Sequence, residues 1–326
     1  MHTQKRCPLL LFILLTAVMG SSQVALSDTY TVSITPTLPE PLPQIKASEN
    51  AKLSINTSSQ LSMLPSKEQA WQAVFNYLGQ KANIKFKFEP ANSQLDFELK
   101  LAKGYYDFAY TNPLQFIAFN DFPGYKAVVK RKAQPIRGII VVKKTGPISS
   151  LTELRDAIFA FPGTLNFPAS IVLRESLNRL NVNIIPQFLA SQKHVYSAVA
   201  NGSYIAGGGS YESFEAQASE VRNALRIIWD SPGYTPYAFS AHPRVPFFTI
   251  IRLQRAMVGL VKHEEGKALL PDIFVDNGFE VARDSDWHDA RLINLEKLNG
   301  ASVNITAPKS KSGKVSVERP VTQTPP

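Results

Sequence analysis

From residue 30 to residue 298 the hydrophobic period keeps switching between two values, and no other feature restricts the fold as much. Runs rich in β-branched and aromatic residues at 30–34, 84–88, 106–110, 125–130, 136–143, 157–161, 183–188, 226–229 and 237–240 read as strands. Another starts at 205–206 and runs into Gly207-Gly208-Gly209. Helical stretches lie between them, at 66–79, 95–101, 114–119, 149–155, 170–180, 192–200, 212–225, 247–262 and 287–298. The first carries its own start signal. Ser66 with Gln69 three residues on is a capping box, and Trp71, Val74, Phe75 and Leu78 then recur at helical spacing. Gly138-Ile139-Ile140-Val141-Val142 is an unbroken apolar run, as in a strand buried on both faces. Such alternation predicts an α/β fold with mixed sheets flanked by helices. It runs through two units that meet near residue 132. Two lobes are expected, with residues 28–132 and 236–300 in the first and 133–235 in the second.

The ends do not share the alternation. Lys5 and Arg6 precede an apolar stretch at 9–19 broken by Thr16, and the small residues Gly20, Ser21, Ser22, Ala25 and Ser27 follow. These are the zones of an export signal, with cleavage after Ser22 or Ser27, so residues 1–27 read as a signal peptide. The stretch is shorter than the roughly 20 residues of a spanning helix, and no membrane insertion is expected after cleavage. The one cysteine, Cys7, falls inside the signal. The mature chain then has no thiol for disulfides, catalysis or metal binding, and none to carry a lipid anchor. Residues 37–59 read as loop and 307–326 as a disordered tail. The formal charge of +9 falls to +7 without Lys5 and Arg6. That excess attracts anions of any kind. No aromatic-interleaved basic patch accompanies it, so a nucleic-acid partner is not expected.

Enzyme signatures are missing from the sequence. There is no G-x-S-x-G elbow, P-loop or dinucleotide fingerprint. His194, His242, His263 and His288 include no pair at metal-ligand spacing on one helix. His263-Glu264-Glu265 and Asp286-Trp287-His288-Asp289 read as solvated helix surface. No cofactor, metal or catalytic residue is expected. What remains is a series of loops at strand ends, where open α/β sheets hold ligands. Tyr110, Thr111 and Asn112 end one strand; Asn166 and Ser170 lie in the loop after another; His194 opens a helix; Gly208 belongs to a further strand-to-helix turn. An anion at a helix N-terminus meets free N–H groups and the positive end of the dipole. Each residue also has an ordinary reading. Thr111, Asn112 and Ser170 can be helix caps, His194 a polar first-turn residue and Gly208 a packing glycine. Arg137, just before the buried run, can pair with an anion or with a surface carboxylate.

The order of these pieces resembles the phosphate/phosphonate-type periplasmic substrate-binding proteins of ABC transporters. The resemblance rests on Tyr106-Asp107-Phe108-Ala109-Tyr110-Thr111-Asn112-Pro113, the crossing strand at 137–142, and the turn Ser150-Leu151-Thr152-Glu153-Leu154. It continues through the helix start at Ser170, and through Ser191-Gln192-Lys193-His194 followed by Ala198-Val199-Ala200-Asn201-Gly202. It implies two lobes joined by hinge strands that grip a small anionic solute resembling phosphate, phosphite or a phosphonate. It places Tyr110 and Thr111 on one lobe and Asn166, Ser170 and His194 on the other. It also implies a periplasmic, soluble, non-catalytic monomer that serves an ABC permease. There is one departure: the second-lobe helix starts after Thr164-Leu165-Asn166-Phe167-Pro168-Ala169-Ser170, where phosphonate binders carry a Ser-Thr-Ser-Gly cluster. Two other roles fit the same architecture, a ligand-sensing accessory for a membrane histidine kinase and a hydrolase acting on a phosphorylated metabolite.

Overall fold

The computed structural model describes residues 29–36 and 65–295, so the predicted signal peptide, the loop at 37–59 and the C-terminal tail lie outside the described residues. The chain forms β1 (Thr29–Ile34), α1 (Lys67–Ala82), β2 (Lys85–Phe88), α2 (Gln94–Ala102), β3 (Phe108–Thr111), α3 (Pro113–Asp121) and β4 (Lys126–Arg131). Then come β5 (Gly138–Lys143), a 3-10 turn at Leu151–Leu154, β6 (Ile158–Pro162), α4 (Ile171–Arg179) and β7 (Ile185–Leu189). These are followed by α5 (Gln192–Ala200), β8 (Ala206–Ser210), α6 (Tyr211–Glu215), α7 (Ser219–Ala224) and β9 (Leu225–Asp230). The last part holds β10 (Ala238–Ala241), α8 (Phe247–Gly259), α9 (Glu264–Leu269), β11 (Phe279–Val281) and α10 (His288–Arg291).

Two mixed sheets result, each flanked by helices, in the order β11-β4-β10-β3-β1-β2 and β7-β6-β8-β5-β9. In the first, β1 runs parallel to β2 and β3, while β10 lies antiparallel between β3 and β4. In the second, β6 is parallel to β7 and β8, and β5 is antiparallel to β8 and β9. Each sheet with its helices is one lobe. The chain crosses between them twice, and the crossings touch where Ile136 and Tyr234 exchange backbone hydrogen bonds of 2.8 and 2.9 Å. An apolar cluster including Leu114 and Ile293 of the first lobe and Phe167, Ile171 and Val172 of the second packs around this pair.

Local sequence explains the elements that position the cleft. In α1 the capping box closes, with Gln69 N–H donating to Ser66 Oγ and Ser66 N–H to Gln69 Oε1. Trp71, Val74, Phe75 and Leu78 are buried against the first sheet, each contributing about 1.5–3 kcal/mol. The helix runs past Gly79 and ends at Asn83, whose φ of 50° is left-handed. Gly79 serves the returning chain instead, since a Cβ there would sit 2.7 Å from Ile84 O.

Four stretches differ from their pattern. The helix expected at 212–225 is two pieces, α6 and α7. Gln217 folds back between them and donates to Ser213 O, satisfying a carbonyl that a continuing helix would have bonded. The stretch from Trp287 gives only the single turn of α10 within the described residues. Conversely, α9 and β11 had no strong period to announce them. β11 has three residues and earns its place by pairing with β4 through Phe279 and Arg131.

Candidate ligand-binding cleft

The parallel strands β1, β3, β6 and β8 direct their C-terminal ends toward the gap between the lobes. A cleft there is lined from the first lobe by Lys67, Trp71, Tyr110, Arg131, Tyr237 and the Asp272–Phe274 turn. Asn166, Pro168, Gln192, Ser210 and Glu212 line it from the second, and Ile136 of the crossing closes it behind. The space at this cleft amounts to about 620 Å3 when the adjoining open solvent is included.

Aromatic rings make the first-lobe wall. The Tyr110 ring lies 4.8 Å from Trp71 and stacks on Tyr237 at 5.6 Å. Burial holds both phenols protonated: it pushes Tyr237 up to about 12 and Tyr110 higher still, against the opposing pull of Arg131.

Arg131, the last residue of β4, is a buried cation of this wall, its side chain only 8% exposed. Its Nη1 donates to Phe274 O at 3.1 Å. Its Nη2 lies 2.6 Å from Glu212 Oε1, which comes from the opposite lobe. Its Nε is buried and has no acceptor among the described residues. Burial acts to lower the pKa of the guanidinium, but Glu212 and Tyr110 outweigh it and hold the group above its ordinary value. Lys67, in the first turn of α1, donates to Pro36 O at 3.0 Å.

The second-lobe wall is built on helix starts. Ser210 caps α6 by accepting from Ser213 N–H. Gln192 Oε1 accepts from Ser210 N–H at 2.8 Å, which ties the start of α5 to the end of β8. Asn166 reaches the cleft from the β6–α4 loop, and its carbonyl accepts from Ser170 N–H at 3.0 Å.

The residues singled out in the sequence fall at varied distances from this space. Tyr110 and Asn166 line it. Thr111 and Asn112 are buried beside it, and Asn112 forms a capping box with Gln115 at the start of α3. Ser170 is fully buried beneath the β6–α4 loop. His194 is exposed, with Nδ1 2.8 Å from Ser191 Oγ. Arg137 pairs with Asp230 at 3.2 Å and donates to Ser231 O. Gly208 lies against Ala169 O and Leu173. Lys67, Trp71, Arg131, Gln192, Glu212 and Tyr237 were not singled out. Arg131 sits in a Lys-Arg-Lys run that looks like solvated surface, and only its tertiary partners show otherwise.

Among the described residues there is no cluster of three or more His, Cys, Asp or Glu that could hold a metal, and no helix long and apolar enough to cross a membrane.

Comparison with known proteins places this geometry. A family model described as the periplasmic phosphonate-binding component of ABC transporters matches residues 62–287. A search of curated protein sequences found no match. Among solved structures, PhnD1 from Prochlorococcus marinus, in complex with methylphosphonate, is similar with a TM-score of 0.63 at 15% identity, covering 81% of this chain and 96% of that one. A binding-protein component of an ABC phosphonate transporter from Pseudomonas aeruginosa gives a TM-score of 0.61 at 15% identity, covering 83% and 87%. A Xanthomonas citri protein bound to ATP gives 0.63 at 11% identity, covering 86% and 97%. At these identities the solved structures establish the shared two-lobed fold.

Proposed function

The chain belongs to the phosphonate-type periplasmic substrate-binding proteins of ABC transporters, and from that premise we propose that its cleft captures a small oxyanion on Arg131 and delivers it to a permease. The observation that carries this reading is the orphaned Arg131 Nε, a buried charged donor without an acceptor among the described residues, in the wall of the cleft. A buried guanidinium N–H left unpaired costs more than a neutral one, and an oxyanion supplies the missing acceptor in a short, charge-assisted bond. The Trp71, Tyr110 and Tyr237 rings exclude water from that contact and strengthen it.

In this reading residues 28–132 and 236–300 form one lobe and 133–235 the other. Ile136 and Tyr234 are hinge points, and closure buries the ligand. The protein binds without catalysing and acts as a monomer, exported by its first 27 residues and free of the membrane after cleavage. Of the residues read from the sequence, Tyr110 and Asn166 contact the ligand, Thr111, Asn112 and Gly208 shape the loops that hold it, Ser170 lies buried at the start of α4, and Arg137 and His194 lie farther out.

Titration calorimetry of the mature chain with methylphosphonate, phosphite, phosphate and sulfate tests this. At least one of these binds, and Arg131→Met weakens it at least tenfold while the melting temperature stays within a few degrees. Binding of none of them, or an unchanged affinity in the variant, overturns the reading.

A further inference from the structure

The second lobe holds an orphaned guanidinium of its own. Arg174 of α4 is 0% exposed. Its side chain runs back toward the helix start, as long helical side chains do, and Nη1 donates to Thr164 O at 3.2 Å. The guanidinium lies over the Phe188 ring, 5.5 Å from its centroid. Nε and Nη2 are buried and have no acceptor among the described residues. Burial pulls the group below its ordinary pKa, with no carboxylate acting against that pull. One turn earlier, Ser170 Oγ is also fully buried and unpartnered, and it does not cap the helix.

Such a cluster is expensive in a fold of this size. An unpaired buried charge costs several kcal/mol, and each orphaned donor adds desolvation that nothing returns. Orphaned donors in a native protein call for a specific explanation, such as an ordered water, an ion or a ligand. The cover over this cluster belongs to the cleft. The loop from Gly163 to Ala169 supplies both the Thr164 carbonyl above Arg174 and the Asn166 and Pro168 that line the cleft wall. At its start Gly163 has a φ of +76°, and an added Cβ would meet nothing within 4 Å, so the entry to this loop is not packed.

We propose that Arg174 and Ser170 form a second anion subsite, opened by a shift of the 163–169 loop, and that the physiological ligand carries two anionic groups. This rests on the oxyanion reading of the cleft. Arg131 serves one group from the first lobe, and Arg174 serves the other from the second. A ligand with a single anionic group leaves one guanidinium unsatisfied, whichever it chooses. The matching chemistry is a phosphonate or phosphate ester that also bears a carboxylate or a second phosphoryl group. Nε and Nη2 of Arg174 form the side of the guanidinium that takes a carboxylate or phosphoryl oxygen pair, and Ser170 Oγ adds a third donor.

The test compares methylphosphonate with phosphonoacetate and 3-phosphonopropionate, by calorimetry, on the wild type, Arg174→Met and Arg131→Met. The proposal expects one two-anion probe to bind the wild type at least tenfold more tightly than methylphosphonate. Arg174→Met removes that advantage and leaves methylphosphonate within about threefold, whereas Arg131→Met weakens all three. Arg174→Met in anion-free buffer melts no lower than wild type, because it removes an unpaired buried charge. A wild type without preference for either two-anion probe overturns the proposal and leaves the cleft reading intact. So does an Arg174→Met protein that melts much lower while keeping the preference, which would make Arg174 a structural prop for the loop. Failure of all three probes to bind the wild type overturns this proposal, and the cleft reading falls with it only when phosphite, phosphate and sulfate fail to bind as well.

Discussion

At the scale of single residues, His242 shows how burial sets a pH response far from the cleft. The ring packs edge-on to Tyr125 at 5.2 Å and lies against Gly104, whose φ is +63° and where an added Cβ would come 2.6 Å from the ring's Nε2. Nδ1 accepts the Arg244 N–H at 3.2 Å, so the proton of the neutral ring sits on Nε2. Burial first, and then the neighbouring Arg244, hold the imidazole below its ordinary pKa, with Asp107 opposing them. The folded state therefore binds this proton less well than the unfolded chain. The resulting stability is fully present above about pH 6.5 and is lost as pH falls through the depressed folded value. Urea midpoints taken from pH 7 to pH 5 should fall, and His242→Gln should flatten that slope. An unchanged slope in the variant would remove His242 from the account. The same scale explains what the sequence could not reveal about the cleft. Tyr110 stands out because it lies near the end of a strand, and Asn166 because it lies in a strand-end loop. Arg131 does not, because its neighbours Lys130 and Lys132 are also basic and its burial is created by Glu212 and Phe274, which are remote in the chain.

At the scale of elements, β8 shows where pattern and packing part company. Three consecutive glycines argue for a loop by propensity, yet Ala206–Ser210 is a buried strand in the middle of the second sheet. The reason lies on both of its faces. Gly207 and Gly209 lie against Val195 and Tyr196 of α5, and Gly208 lies against Ala169 O, Leu173 and Phe161 on the α4 side. The glycines allow both helices to sit directly on the strand, which brings Gln192 and Ser210 together at the cleft. A methyl at Gly208 would come 2.8 Å from Leu173 and 2.9 Å from Phe161, with Ala169 O nearer still and unable to yield as a side chain would. Gly208→Ala should therefore cost at least about 1–3 kcal/mol, the usual range for overpacking, read as a lower urea midpoint at unchanged m-value. A loss below half a kcal/mol would mean that the helix start shifts freely. Most other elements were legible because each carries its own period and stop signal. The exceptions, α9, β11 and the break between α6 and α7, are short pieces held by tertiary pairing, which a local pattern does not record.

At the scale of the whole molecule, the question is what the two lobes do without ligand. Arg131 and Glu212 bridge the cleft at 2.6 Å, from β4 of the first lobe and α6 of the second. The pair is asymmetric, since the Glu212 side chain is 59% exposed while that of Arg131 is almost wholly buried. Glu212 can therefore leave for water at little cost, whereas Arg131 requires a replacement. In the proposed oxyanion reading the ligand is that replacement, and Glu212 is a competitor that holds the guanidinium until the ligand arrives. It also repels the ligand at short range, because its carboxylate remains beside the site after displacement. Glu212→Gln removes both effects and leaves the helix start of α6 intact through its Ser210 cap. The expected result is tighter oxyanion binding, by about threefold or more, with a weaker dependence on salt. Without ligand the same variant should be more open, because an attraction between the lobes is lost, and small-angle scattering should read this as a larger radius of gyration. Weaker binding in Glu212→Gln would instead assign the carboxylate to the ligand, as the partner of a cationic group.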